Sequence, residues 1–305
     1  MKPFILFIQL QFLSSLRVFT SSAAFASNSK PAQPAHFPQH NPINVIVIGG
    51  SSGMGKAAAT AAVQRGGRAL LISRSEDKLK RACKDIRQAA QISEEDNDTG
   101  GYVSFINLDA TNEEAVQTFG ESIVKDEWDA LIISSAGKAP HGPVTSLPTS
   151  DTRFLMESKF WSAYHCAKHI SPKLKDGGSV TFVSGVLGRR PGINCCPLAV
   201  TNGALEGLTR SLALEMGPRL RVNCLSPGFC DTERFDHIEE ERRRAMLVNT
   251  AESLPLQRVG HPSDMGEAIY YLATAPFVTG VVLDVDGGHS IRQYANAVND
   301  PTRKR

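Results

Sequence analysis

Val45-Ile46-Val47-Ile48-Gly49-Gly50-Ser51-Ser52-Gly53-Met54-Gly55 decides the fold. An apolar, β-branched run stops at glycines, and an alanine-rich run follows from Lys56. β-branched residues suit a strand and alanines a helix, so the stretch predicts strand, tight turn, helix. Gly49 suits the turn. Gly53 lets the backbone approach a pyrophosphate, and Gly55 lets the helix pack close to the strand. The helix N-terminus offers free N–H groups and a positive dipole end, so Ser51, Ser52 and Met54 join the glycines as a candidate phosphate cradle.

The same alternation runs outward to Asp286. Apolar strands are predicted at 45–48, 69–72, 102–106, 130–133, 180–183, 221–225 and 281–285. Helical patterns lie between them at 56–64, 76–90, 113–125, 152–170, 199–216 and 263–273. Strands apolar on both faces, with helices between, predict a seven-stranded parallel sheet covered on both sides. One unbroken series predicts a single doubly wound α/β domain over 43–290, without a separate substrate domain. Two segments break the rhythm. Residues 93–101 are acidic and glycine-tailed and read as a solvated loop. Residues 233–252 set Glu239-Glu240-Glu241 beside Arg242-Arg243-Arg244 and read as an exposed helical excursion with internal ion pairs, placed where a lid would sit.

Composition narrows the function classes. The 305 residues are 41% hydrophobic and 21% charged, with a formal net charge of +2, which gives no case for nucleic acid or an anionic membrane. No Asp or Glu precedes Glu76. Lys2 precedes an apolar run over 4–13 that is too short to span a bilayer, followed by small residues over 21–24. Residues 1–42 therefore read as a signal-like targeting leader and linker, and 291–305 as a flexible tail. The Phe25-Ala26-Ser27 stretch and the acid-free segment after it resemble the two-part leader of algae with complex plastids. Residence in the ER and plain secretion are the alternatives. The mature form is expected to have no membrane segment. Six cysteines lack C-x-x-C spacing and predict no metal site. Cys195-Cys196 is expected to be unbridged.

Further motifs follow in order: Ser73-Arg74 after the second strand, Asp109 after the third, and Ser134-Ser135-Ala136-Gly137 after the fourth. Pro227-Gly228 with Thr232 follows the sixth, and Asp286-Gly287-Gly288 the seventh. Ser73-Arg74 stands where an NAD enzyme carries a carboxylate for the ribose hydroxyl. An arginine there pairs with a 2′-phosphate, which favours NADP(H) over NAD(H). With the opening glycines, this series resembles the short-chain dehydrogenase/reductase family over about residues 43–290. The resemblance implies a Rossmann-type domain and oxidoreductase chemistry on a small molecule. It implies adenine contact by Asp109 and a cofactor cleft lined by Ala136 and Gly137. It also implies nicotinamide contacts from Pro227, Gly228 and Thr232, and a homodimer or homotetramer packed through the fourth and fifth helices. Phe154, Leu155, Phe160 and Trp161 make the 152–170 helix apolar enough for that role.

The departures bear on catalysis. The family carries an asparagine on the fourth helix, a serine after the fifth strand, and Tyr-x-x-x-Lys opening the next helix. Ala204-Leu205-Glu206-Gly207-Leu208 fixes the last register, so the tyrosine position falls on Leu198 and the lysine position on Asn202. Counting back puts the serine position on Gly185 and the asparagine position on Ser158. Asn202 still offers an amide to the nicotinamide ribose. Reduction builds negative charge on oxygen, and something must donate to it. Candidate replacements are His141 and Lys138, on the loop after the fourth strand, and Ser184. Lys159 neighbours the asparagine position. Tyr164-x-x-x-Lys168 lies upstream of the fifth strand and reads as a decoy. Arg189-Arg190 borders the expected substrate region, as a basic turn or an anion clamp. Two readings follow: an oxidoreductase on a carbonyl, enone or alcohol with an atypical proton donor, or an inactive dinucleotide-binding sensor or partner subunit.

Overall fold

The computed structural model describes residues 42–291. All but Pro42 of the leader and Ile291 of the tail expected from sequence lie outside the described residues. Seven strands form one sheet in the order β3-β2-β1-β4-β5-β6-β7, every pairing parallel. They are β1 (Val45–Ile48), β2 (Ala69–Ser73), β3 (Val103–Asn107), β4 (Ala130–Ile133), β5 (Ser179–Val183), β6 (Arg221–Pro227) and β7 (Val282–Val285). The helices are α1 (Gly53–Val63), α2 (Glu76–Ala90), α3 (Glu94–Gly100), α4 (Glu113–Ser122), α5 (Thr149–Leu155), α6 (Ser162–Ile170), α7 (Cys196–Met216), α8 (Glu240–Ser253) and α9 (Pro262–Thr274).

Alternation along β1 assigns the two layers. Val45 and Val47 pack with Ala58, Ala62, Leu79, Ile86, Met265 and Ile269, from α1, α2 and α9. Ile46 and Ile48 pack with Val116, Phe119, Cys166, Ile170 and Leu205, from α4, α6 and α7. Both faces of a parallel strand are thereby buried, which explains its uninterrupted apolar run. The chain winds outward from β1 through β2 to β3, then returns to lay β4 on the other side of β1. That reversal opens a crevice at the C-terminal ends of β1 and β4, where ligands bind in open α/β sheets.

Three elements depart from the sequence reading. Residues 94–100 form helix α3 rather than a loop. Ser93 Oγ accepts the Asp96 N–H at 3.0 Å, and Glu94, Glu95 and Asp96 fill the first turn. A capping hydroxyl and acids at the positive end of a short helix are enough to fold it. The helix expected over 152–170 is α5, then a π-helical segment, Met156–Trp161, then α6. The excursion after β6 is helical as expected, but the ion pairs described for Arg243 leave the helix for Asp231 and Asp236, both at 2.7 Å. Glu239 instead caps α8, accepting from the N–H groups of Glu241 and Arg242.

The opening turn depends on one close approach. A Cβ on Gly55 would stand 2.4 Å from the Gly49 carbonyl oxygen, closer than any real contact. Gly55→Ala is expected to keep the fold yet lose about 1–3 kcal/mol through overpacking, against its gain in helix propensity. Urea denaturation measures this as a lower midpoint at unchanged slope.

Candidate active site

The βα turn already holds an anion. Gly53 N–H donates to Glu233 Oε2 at 2.8 Å, and Lys56 Nζ lies 2.9 Å from Glu233 Oε1 and 3.1 Å from Asp85. Burial pushes the Glu233 carboxyl upward, but the bonds from Lys56 and Gly53 outweigh it and hold it below the usual carboxylate range. Burial pulls the Lys56 ammonium down, and its two carboxylate partners more than reverse this. The carboxylate comes from the turn after β6. Thr232 comes with it, 3.5 Å from where a Cβ on Gly53 would stand. Two distant cofactor candidates, Gly53 and Thr232, are thus brought together.

The other cofactor candidates line the strand ends. Ser52 precedes α1 in extended conformation, and its carbonyl accepts the Lys56 N–H. Ser51 sits beside it in the turn, and Met54 packs against the α1 core. Ser73 Oγ accepts the Ser75 N–H at 3.3 Å, and Arg74 is exposed. Asp109 Oδ1 accepts from the Thr111 backbone and hydroxyl. Gly137 N–H donates to Ser158 Oγ at 3.1 Å, which ties the loop carrying Ala136 to the π-helical segment. Gly228 N–H bonds Val285 O at the end of β6, after Pro227.

The positions expected to be catalytic assemble differently from the sequence count. Ser158 turns to Gly137, and its neighbour Lys159 enters the site. Lys159 Nζ donates to Asn202 Oδ1 at 2.5 Å and to the Ser184 carbonyl at 2.9 Å. It is only 7% exposed. Burial lowers its ammonium to about 8, with repulsion from Arg234 adding to the effect and Cys224 opposing it. Asn202 Nδ2 donates to Gly185 O at 3.3 Å. Gly185 has φ +156°, and a Cβ there would fall 2.9 Å from Asn202 Nδ2, so a serine side chain cannot enter while Asn202 holds this pose. Leu198, half-buried on the first turn of α7, has no polar atom to offer.

The expected replacement donors occupy separate places. Ser184 Oγ lies 3.3 Å from Glu206 Oε1 and from Leu225 O, so its hydroxyl is engaged within the core while its carbonyl serves Lys159. His141 and Lys138 are exposed on the loop after β4, where His141 Nδ1 donates to Ala139 O at 3.0 Å. Arg189 pairs with the buried Glu206 and with Asp284, and Arg190 donates to Ser290 O, so both arginines of that turn are held by the chain itself. Lys168 pairs with Glu113, and the Tyr164 ring packs edge-on against Trp161, which leaves that pair on the α4–α6 surface. Lys168 and His169 hold the Glu113 carboxyl down at about 2. All six cysteines are free thiols, Cys195 and Cys196 included. Among the described residues no three His, Cys, Asp or Glu side chains converge as a metal site. Sequence reasoning missed the roles of Glu233 and Glu206 and named Lys159 only as a neighbour. A lysine directly before the apolar pair Phe160-Trp161 was the available signal.

The reversal in strand order and the glycine turn define a fold of the doubly wound, dinucleotide-binding class. Residues 49–290 match the family model described as enoyl-(acyl carrier protein) reductase. The chain belongs to the short-chain dehydrogenase/reductase family of oxidoreductases. It is 31% identical over 256 residues to short-chain dehydrogenase/reductase ATR9 of Stachybotrys chlorohalonatus, covering 80% of this chain and 96% of that one. It is 29% identical over 246 residues to carbonyl reductase family member 4 of Danio rerio, with the same two coverages. Among solved structures, a small-chain dehydrogenase in complex with NADPH is similar at 30% identity and a TM-score of 0.65, covering 81% of this chain and 98% of that one. A short-chain type dehydrogenase/reductase from Mycobacterium ulcerans reaches a TM-score of 0.73 at 25% identity, covering 85% and 94%.

The Lys159 charge has a measurable signature. Its folded pKa of about 8 lies below the ordinary 10.5, so between these values the unfolded chain binds the extra proton. Stability attributable to this group therefore rises with pH across that window. Wild type is expected to gain about 3 kcal/mol on Lys159→Met between pH 7 and pH 10.5, at about 1.4 kcal/mol per pKa unit. Urea unfolding of both proteins across that range measures the difference.

Proposed function

We propose that the protein is an NADP(H)-dependent oxidoreductase that reduces a small carbonyl compound or conjugated enone with an atypical proton supply. The observation that carries this reading is the Glu233 carboxylate on the Gly53 N–H, with Lys56 beside it. A turn that binds its own carboxylate has the donors and the field for a phosphate. The residues fit the cofactor in a second way, because the end of β2 offers Arg74 and hydroxyls, with no acid at Ser73-Arg74-Ser75. Gly49, Gly53 and Gly55 would take the pyrophosphate, Arg74 the 2′-phosphate, Asp109 the adenine, and Thr232 the nicotinamide end.

When bound, NADPH supplies a hydride. The chain's own residues must then hold the oxygen on which charge collects and shield it from bulk water. His141, Lys138 and solvent at the sheet edge are the proton sources. The relatives are named as reductases and dehydrogenases, and a purely sensory role draws no support from them. We also assign a homodimer or homotetramer to the exposed Phe154, Trp161 and Tyr164 surface. The targeting leader we assign to delivery into a complex plastid.

Calorimetry is expected to detect NADPH uptake, with NADH at least about tenfold weaker, a gap of 1.4 kcal/mol. Arg74→Glu is expected to erase that preference without weakening NADH. Glu233→Ala is expected to tighten NADPH by about threefold or more, because the cradle no longer has to release its own carboxylate. A panel of acetoacetyl thioester, α-diketone and enone probes, followed by loss of NADPH absorbance, tests the reductase reading. Absence of oxidation above the blank for every probe overturns it.

A further inference from the structure

Lys159 carries a charge that the packing of the fold does not require. No carboxylate pairs with it among the described residues, and its two bonds go to neutral oxygens. A buried ammonium without a counter-ion is disfavoured unless an anion completes it. The groups around it supply none. Cys224 on β6 is a thiol held neutral by burial, and Arg234 after β6 is a second cation. Glu206 on α7 is engaged by Ser184 and Arg189, and Glu157, on the same π-helical segment as Lys159, is exposed.

The ammonium also fixes how Asn202 faces. An ammonium has only donors, so the atom 2.5 Å from it is the amide oxygen, and Nδ2 turns the other way. That nitrogen gives one hydrogen to the Gly185 carbonyl at 3.3 Å, keeps a second, and stands 2.9 Å from where a side chain on Gly185 would begin. Gly185 is the serine position of the family pattern, so an amide donor stands beside the volume that a hydroxyl would fill. The two side-chain types have also exchanged elements. The lysine now comes from the helix before β5 and the asparagine from α7.

We propose that Asn202 is the catalytic hydrogen-bond donor to the substrate's developing oxyanion, with Lys159 as the positioning residue that orients and polarises its amide. The inference rests on the reductase reading. The substrate carbonyl carbon receives a hydride, with its electron pair, from NADPH, which becomes NADP+. The C=O π pair moves onto oxygen, the oxyanion rests on Asn202 Nδ2–H, and it then takes a proton from water. This arrangement replaces the proton-donating tyrosine with stabilisation of the anion alone. With a conjugated enone the hydride goes instead to the β-carbon, the C=C pair shifts to a delocalised enolate whose oxygen rests on the same N–H, and that charge needs the least help from a proton donor.

The test is Asn202→Asp in the full domain. The carboxylate keeps the shape and gains an ion pair with Lys159 that offsets the lost bond to the Gly185 carbonyl, so the variant is expected to fold. It removes the N–H donor and neutralises the site. On the acetoacetyl thioester probe, kcat is expected to fall about 100-fold or more, while KM and the NADPH Kd move less than about threefold. A second readout needs no turnover. The Asn202 side-chain amide resonance, assigned by its loss in Asn202→Asp, is expected to titrate near pH 8 in wild type and to stay flat in Lys159→Met. Asn202→Asp with kcat within threefold of wild type overturns the inference and leaves the reductase reading standing. So does a loss confined to the NADPH Kd, which makes Asn202 a ribose contact only, and so does an amide signal that ignores Lys159. A wild-type protein that binds NADPH but reduces no probe overturns both.

Discussion

The approach of α1 to the end of β1 governs the organisation of this protein. With Gly55 against the Gly49 carbonyl, the first turn of the helix lies on the strand end rather than beside it. Its free N–H groups therefore open onto the point where strand order reverses. Everything at the C-terminal edge of the sheet is arranged around that point. The turn after β6 reaches across to it with Glu233 and Thr232, and the loop after β4 leans on Ser158 through Gly137. A larger residue at position 55 would move the helix, and the anion site with it.

Charge in the cleft divides into satisfied and unsatisfied groups. Glu233 with Lys56, and Glu206 with Arg189, are each neutralised within the chain. Lys159 is not. A protein tolerates such a group where the surrounding structure over-determines it, and here three elements do so. The π-helical segment supplies the side chain, the end of β5 its carbonyl partner, and α7 its amide partner. π segments often mark functional sites, because the extra residue in the turn presents a side chain that an α-helix would direct elsewhere. Lys159 lies on such a segment, Met156–Trp161.

The positions expected for the family's tetrad hold side chains that fit one another. Gly185 makes room for Asn202, and Asn202 accepts from Lys159. The pieces depend on one another sterically as well as electrically, since a Cβ at 185 would press on the amide. Restoring single residues toward the family pattern works against that fit.

The sequence alone determined the sheet, the glycine turn and most element boundaries. Strands buried on both faces write their apolar runs without ambiguity, and tight approaches admit only glycine. Helix α2 and strands β1 and β4 fall where periodicity puts them. Tertiary structure alone decided which residue of the Ser158-Lys159 pair enters the site. Spacing arguments assume 3.6 residues per turn, and the π segment breaks that count. It alone seated Glu233 on Gly53, 180 residues away, since a loop's landing point is fixed by long-range packing. It alone buried the Lys159 ammonium against two neutral oxygens, because burial and pairing belong to the folded surroundings and not to the residue.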